Sequence, residues 1–447
     1  MNLLEKLWAR KTKFFAGASI LTITTFGSYV LGLVRDRTFA QTFGATRELD
    51  IYNAAFNIPD LILNVLVAGA LSAAFIPVFT GLRAQKQEHE ANEVASTLLN
   101  SAVVVVAVVG AIAFIFMPWI APKIAPGFSA EELEILISHS RIFLLSPIIF
   151  AVSNGLGSML ISYQHYLPYG LSPILYNFGI IGGTFFVPRF GVTALIIGTL
   201  GGALLHLGVR LLGISRTHFH YHPLLKWRDK NFLQIVKLMI PKMVGHPVEQ
   251  ITFIIFTNVA STLAAGSIAV VSFARNFQSV PVSLFGIAFS LAIFPMLSEA
   301  AAQKDLPVWL GHFKKALRDI LYFTVPSAVV LFALSEIPIR IFLGGGNFTE
   351  AHIARTALTL SFFAFAVPTE SVVHLLARSF YSLKNTLTPV IVSVIGLGVT
   401  AAIAFSFAPR LDIVVIPLAF AAGSATRVVL LSALLYKKLG SFSHNLS

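Results

Sequence analysis

One apolar architecture is written twice along this chain of 447 residues, and the duplication restricts the fold more than any single motif. Ala70-Leu71-Ser72-Ala73-Ala74-Phe75-Ile76-Pro77 returns as Ala288-Phe289-Ser290-Leu291-Ala292-Ile293-Phe294-Pro295, and Ala84-Gln85-Lys86 returns in register as Ala302-Gln303-Lys304. Leu171-Ser172-Pro173-Ile174 is echoed by Leu387-Thr388-Pro389-Val390, and Arg210 by Arg427, a period of about 217 residues. Both copies contain apolar runs that reach the ~20 residues needed to cross a hydrocarbon core about 30 Å thick. Two similar membrane bundles in one chain are what alternating access requires, because two bodies can rock about a site between them.

The membrane assignment follows from charge. Charged residues make up 12% of the chain and hydrophobic residues 56%, whereas a soluble domain carries roughly 25% charged residues. The chain therefore lacks the means to coat a water-facing surface. It has no cysteine, which excludes disulfides, thiolate metal sites and cysteine nucleophiles. Met1 to Lys13 is basic and runs into an apolar stretch from about Phe14 to Val34 with no clean cleavage site, so it reads as a first transmembrane helix and not a signal peptide.

About twelve spans are expected, at roughly 14–34, 52–80, 97–122, 138–161, 169–188, 192–213, 233–261, 267–297, 318–343, 354–377, 388–408 and 413–436. With the N-terminus in the cytoplasm, eighteen Lys and Arg residues fall in cytoplasmic segments and eight in outer ones, a positive-inside bias. The net charge of +12 is thus topological and does not imply nucleic acid. The most polar connection, about Ser215 to Asn231, divides an N-lobe of residues 1–230 from a C-lobe of residues 231–447. His218, His220 and His222 alternate within it. With only Asp229 near, a headgroup-facing linker is a better reading than a metal site.

Proline interrupts several spans, at Pro59, Pro77, Pro173, Pro241, Pro247, Pro281, Pro295, Pro368 and Pro389. Each removes a helix hydrogen bond, and in lipid such breaks survive where neighbours or a wet cavity serve the freed carbonyls. Gly155, Gly157, Gly179, Gly182 and Gly183 are expected to let helices approach closely.

An ionised group at mid-membrane costs on the order of 2.5–3.5 kcal/mol, so each demands a reason. Arg35-Asp36-Arg37 follows span one, either as an interfacial anchor or with Arg35 in a central cavity held by Asp36, Asp50 or Asp60. Lys242, His246 and Glu249 share one face of span seven, either as a self-neutralising set or as a cavity lining. Arg275, with Asn276 and Gln278, has no acid near it in sequence and must find a partner across the bundle or in an anionic ligand. Glu370, His374 and Arg378 stand four apart in span ten, as a proton or ion relay or with Arg378 merely snorkelling. Glu249, His246, Glu370 and His374 are the coupling candidates.

No catalytic constellation is present, and no enzyme activity, cofactor or metal is expected. Gly344-Gly345-Gly346-Asn347-Phe348-Thr349 lacks the lysine of a phosphate loop and reads as a connection between spans.

Tyr29-Val30-Leu31-Gly32-Leu33-Val34-Arg35-Asp36, Phe43-Gly44-Ala45, Asp50, Pro59 and Ala74-Phe75-Ile76-Pro77 resemble the opening of the MurJ (MviN) family. Gln250-Ile251, Gly266-Ser267, Leu284-Phe285-Gly286, Gly346-Asn347-Phe348-Thr349 and Ala377-Arg378-Ser379-Phe380-Tyr381-Ser382-Leu383-Lys384-Asn385-Thr386-Leu387-Thr388-Pro389 extend the resemblance through the second half. It implies an all-α polytopic membrane protein of two pseudo-symmetric six-helix lobes, the V-shaped, MATE-like form of the MOP exporter superfamily. It also implies a flippase for lipid II, the lipid-linked peptidoglycan precursor, in the bacterial inner membrane, driven by the membrane potential or a coupling ion. Membrane lipids are then the other partners, with no nucleic acid.

Arg35 matches the family's cavity arginine and Asp36 its neighbour. Tyr29 stands where a second arginine is usual, and Asn276, beside Arg275, takes the usual place of an arginine in span eight. The family also has two further C-terminal helices, whereas this sequence ends at Ser447. Substrate contacts are thus expected at Arg35, Asp36, Arg275, Asn276 and Tyr29. The departures keep open an exporter of another lipid-linked oligosaccharide, a cation-coupled drug exporter, or a non-transporting scaffold for cell-wall synthesis.

Overall fold

The computed structural model describes residues 3–68, 71–245 and 247–444. Among them the chain is helical, and its one β feature is an isolated bridge between Gly345 and Phe348. The first half runs α1 (Leu3–Phe43), α2 (Arg47–Ala55), α3 (Asn57–Leu63), a π-helical turn (Asn64–Ala68), α4 (Leu71–Ala84), α5 (Glu88–Ile124), α6 (Ala130–Phe143), α7 (Leu145–Ser162), α8 (Tyr166–Phe185), α9 (Val187–Phe190) and α10 (Val192–Ile214). The second runs α11 (Lys230–Gly245), α12 (Pro247–Ser261), α13 (Ser267–Pro281), a π-helical turn (Val282–Ile287), α14 (Ala288–Ala302), α15 (Leu306–Ala333), α16 (Glu336–Leu343), α17 (Glu350–Phe363), α18 (Ala366–Ser382), α19 (Leu387–Leu411) and α20 (Val415–His444).

The sequence repeat is also a backbone repeat. Both π turns lie just before the duplicated Pro77 and Pro295 helices. Left-handed residues recur in matching turns: Gly44 with Gly266, Lys86 with Lys304, Gln164 with Lys384, and Gly191 with Asp412. A non-glycine residue at positive φ is uncommon, so its recurrence at corresponding loop ends marks two copies of one chain path.

Proline sets the breaks. Its ring clashes with the carbonyl four residues back and leaves that carbonyl without a donor. Pro59, Pro147, Pro338 and Pro368 place that residue at Ala55, Phe143, Leu334 and Ala364, where α2, α6, α15 and α17 end. Spans two, four, nine and ten, each expected as one run, are therefore broken; α17 and α18 bend by 43°. Side chains set some of the helix starts. Ser129 Oγ accepts from Glu132 N at 3.2 Å and Glu132 Oε2 from Ser129 N at 2.7 Å, a capping box that opens α6.

By length and composition six helices among the described residues are long and apolar enough to cross a membrane, or seven if the bent pair is one span. One of the six, Leu387–Gly440, is 54 residues long and takes in both α19 and α20, about twice what one crossing needs. Many large apolar side chains remain exposed, such as Val108, Ile112, Ile115 and Trp119 on α5. An apolar exterior on this scale marks contact with lipid.

The chain divides into two compact units: Met1–Thr42, Ile51–Lys123 and Phe128–Gln250 in one, and Phe43–Asp50, Ile124–Gly127 and Ile251–Ser447 in the other. The core of the first gathers Phe75, Phe79, Met117, Met159 and Leu160. The second gathers Leu297, Trp309, Ile320, Leu376 and Phe380. Small residues seat the helices: a methyl on Gly179 would meet Gly202, and one on Gly198 would meet Gly183. Gly182, expected in the same role, has nothing within 4 Å.

The connection after α10 is strapped along α5. Tyr221 OH donates to Asn100 Oδ1 at 2.8 Å, and Asn100 Nδ2 donates to Leu224 O at 2.9 Å. His222 N donates to Ser96 Oγ at 3.0 Å, Trp227 Nε1 to Ser101 Oγ at 3.0 Å and Lys226 Nζ to Glu93 Oε1 at 2.6 Å. Glu93, Ser96, Asn100 and Ser101 repeat at helical spacing on one face of α5. The sequence shows the linker as polar and hides what it binds.

Candidate functional site

Among the described residues, each unit holds an expected arginine beside a carboxylate inside its apolar body. In the first, α1 presents Arg35 and Asp36. Arg35 Nε and Nη2 donate to Asp36 Oδ1 at 3.1 and 2.9 Å, and Nη1 donates to Asn177 Oδ1 at 3.3 Å. Asn177 is oriented for this by its own Nδ2, which donates to Pro173 O at 3.1 Å in the turn below on α8. The Asp36 side chain is 6% exposed and that of Arg35 28%. Three of the guanidinium's five N–H groups are committed. The other two are free to donate while Asp36 keeps the cation in place. Tyr52 backs the cluster, its ring edge-on to Phe39 at 5.5 Å and its hydroxyl 2.9 Å from Thr199 Oγ1.

Of the two other carboxylates considered for Arg35, Asp60 has no ion-pair partner among the described residues. Asp50 is engaged by backbone amides, with its Oδ2 2.7 Å from Gly266 N and its Oδ1 2.8 Å from Ala269 N.

In the second unit Arg275 on α13 does find an acid across the bundle. Its Nη1 lies 3.9 Å from Glu370 Oε2 on α18, and Gln278 Nε2 donates to the same oxygen at 3.3 Å. The guanidinium lies between two rings, 4.9 Å from Phe253 and 4.5 Å from Phe420. Such stacking stabilises a desolvated cation, and only 11% of the Arg275 side chain is exposed. Arg35 is therefore the open cation and Arg275 the caged one. His374 follows Glu370 by one turn, with Glu370, Arg378 and Arg427 as its charged neighbours. Arg378 Nη1 donates back to His374 O at 3.3 Å.

The remaining candidates lie elsewhere. Tyr29 is 61% exposed on α1. Asn276 is half-buried and its carbonyl accepts from Ser279 Oγ at 2.8 Å. Glu249 is exposed in the first turn of α12. His246 lies outside the described residues.

A third polar node appears in the sequence only as a repeated arginine. Arg210, buried in α10, donates through Nε to Ser172 Oγ at 2.8 Å and through Nη1 to Ser153 O at 2.7 Å and Asn154 Oδ1 at 3.0 Å. It also lies 4.9 Å from the Tyr169 ring. The repeat returns Arg210 as Arg427. Aligning the two halves residue by residue is the signal that finds it. Asn177 was harder to find, because a single amide in an apolar run has no partner in sequence.

Comparison with known proteins adds the family. The family model described as Lipid II flippase MurJ matches residues 39–447. A probable lipid II flippase MurJ of Borreliella burgdorferi is 28% identical over 387 residues, 86% of this chain and 76% of the relative. A lipid II flippase MurJ of Burkholderia cenocepacia is 26% identical over 428 residues, 92% of this chain and 82% of the relative. The solved structure titled "Lipid II flippase MurJ, inward closed conformation" superposes with a TM-score of 0.79 at 27% identity, covering 92% of this chain and 86% of that one. An inward-facing multidrug MATE transporter of the MOP superfamily reaches 0.81 at 12% identity over 94% and 96%, a likeness of fold alone. With the family model spanning all but the first 38 residues, the chain belongs to the MurJ family.

Proposed function

We propose that this protein translocates lipid II, or its close lipid-linked kin, across the bacterial inner membrane by alternating access. The observation that carries the chemistry is Arg35: a cation fixed in the first membrane helix by Asp36 and Asn177, with two N–H groups uncommitted. A pyrophosphate offers oxygens at the spacing a planar guanidinium fork accepts. An arginine held in advance loses little freedom when the phosphate arrives. Family membership supplies the substrate class, since the relatives are named for lipid II.

The second cluster supplies coupling. Glu370 balances Arg275 while ionised, and taking up a proton or a cation there cancels that balance and frees the arginine from its acid. His374, one turn away, offers a second proton-binding group and extends the path. The membrane potential adds roughly 2.3 kcal/mol per charge per 100 mV to the outward movement of an anion from an inside-negative cell.

Reconstituted vesicles with a fluorescent lipid II test the assignment. Arg35→Ala removes charge-assisted bonds worth about 1.5–3 kcal/mol, so flipping falls at least about tenfold while the protein stays folded. Undiminished flipping by that variant removes Arg35 from the substrate path. For the N-terminus, proposed to be cytoplasmic, a chain without cysteine permits a direct reading. A single cysteine placed in the linker at His220 is expected to resist an impermeant maleimide in intact cells and to react after lysis.

A further inference from the structure

The strapped linker closes one end of an apolar groove of about 810 Å³ in the first unit. Val103 and Val104 of α5, Leu156 of α7, and Leu211 and Ile214 of α10 form its walls, and Phe219 and Leu224 of the linker form its roof. The volume is within the 300–1,000 Å³ of ordinary ligand sites. Val104 and Leu211 are 40% and 47% exposed, so the groove opens on the side where α5 presents Val105 and Val108 to lipid.

Its polar end is formed by Ser215 and Tyr221. Arg216 follows Ser215 directly, and Arg228 lies three residues beyond Leu225, which also lines the groove. Both arginines are exposed, and among the described residues neither has an ion-pair partner. The local acids are taken: Glu93 holds Lys226, and Asp229 Oδ1 accepts from Asn231 N and Phe232 N at 2.9 Å to cap α11. Tyr221 and Trp227, each more than half exposed, are the amphipathic rings that settle at a headgroup boundary. An apolar slot, two exposed aromatic rings and two unbalanced arginines adjoining its lining in sequence match an acyl chain, a glycerol region and a phosphate.

We propose that this groove holds one acyl chain of an anionic phospholipid whose phosphate is met by Arg216 and Arg228. The linker between the two halves is then part of a lipid site, separate from the substrate path at Arg35. Bound lipid fastens the linker to α5 and α10.

The test uses the full chain in vesicles of phosphatidylglycerol mixed with phosphatidylcholine, followed by mild solubilisation and mass spectrometry of the co-purifying lipid. The protein is expected to enrich phosphatidylglycerol by about fivefold for each arginine engaged. The Arg216→Ala, Arg228→Ala double variant keeps its bound lipid but returns to the vesicle ratio. Val104→Trp or Leu211→Trp, at exposed positions that leave the core alone, lowers the bound lipid itself. Equal enrichment in the double variant overturns the proposal. So does unchanged lipid in both tryptophan variants, or a change of oligomeric state in those variants without loss of lipid, which assigns the groove to a second copy of the chain.

Discussion

The Asp50 carboxylate caps a helix to which it is not joined: its Oδ2 accepts the Gly266 amide at 2.7 Å, and Gly266 is the N-cap of α13. Glycine has no side chain to serve the orphan amides at a helix start, and Asp50, itself wholly buried, serves Gly266 and Ala269 in its place. The arrangement requires glycine at 266, where φ is +83° and a methyl would collide with the Ala45 carbonyl. Asp50→Ala is expected to lower stability by about 3 kcal/mol, and Asp50→Asn by less, since one acceptor oxygen survives. Gly266→Ala is expected to destabilise through both backbone and collision. Thermal unfolding in detergent measures all three. A neutral Asp50→Ala shows that water serves those amides as well as the carboxylate does.

Arg210 is held by a hydroxyl, a carbonyl and an amide oxygen, with no acid among the partners its hydrogen bonds show. Truncating it leaves Ser153 O and Ser172 Oγ without their donor inside an apolar unit. The expected loss for Arg210→Ala is about 3 kcal/mol. Gly157→Ala approaches the same node from the other side, since a methyl there would stand 2.6 Å from Arg210 Nη1. Both variants are predicted to reduce the unfolding midpoint, and what survives purification should flip lipid at a normal rate. Selective loss of flipping at unchanged stability would falsify the structural assignment and move Arg210 into the transport path.

Two glycines three residues apart on α10 separate packing from helix propensity. Gly198 faces Gly183 and Gly179 of α8 at contact, whereas Gly201 has nothing within 4 Å. Alanine is the better helix former by about 1 kcal/mol, so Gly201→Ala should be neutral or stabilising by up to that amount. Gly198→Ala must push α8 away and should cost about 1–3 kcal/mol. Equal effects at both positions rule out a close α8–α10 seam.

Much of this architecture is legible in the sequence because membrane helices announce themselves. A long apolar run such as Val192 to Gly213 has one stable conformation in lipid, and α10 follows it to within a residue. The Glu370, His374 and Arg378 stripe is legible for the same reason: one helix fixes the spacing. What sequence hides is contact between helices. Arg275 points to an acid without naming one, and Glu370 is 95 positions away. Phe253 and Phe420, which cage Arg275, look in sequence like any other lipid-facing rings. Helix breaks are legible only with the i−4 rule in hand. Pro147 and Pro338 act as Pro59 and Pro368 do, although each lies in a stretch that reads as one continuous span.

The turn between α16 and α17 should be titratable. Arg340 Nη1 and Nη2 donate to Glu350 Oε1 and Oε2 at 2.7 and 2.6 Å, and Nη2 also donates to Glu336 Oε1 at 2.6 Å. These bonds hold the Glu350 carboxyl below its ordinary range and so tie the first turn of α17 to the last of α16. A group whose pKa is depressed by folding adds stability that is complete above its unfolded value, about 4.3 for glutamate. That stability is lost as pH falls through the lower, folded value. Amide exchange of residues 344–349 in nanodiscs should therefore be flat with pH near neutrality, once intrinsic rates are removed, and should quicken on acidification below the carboxylate range. Added salt should mimic part of the effect, because the three side chains are exposed and the pair is screened. Glu350→Gln should exchange quickly at every pH and lose the profile. If that variant keeps the wild-type acid transition, the titrating group is another, and Glu336 is the next to replace.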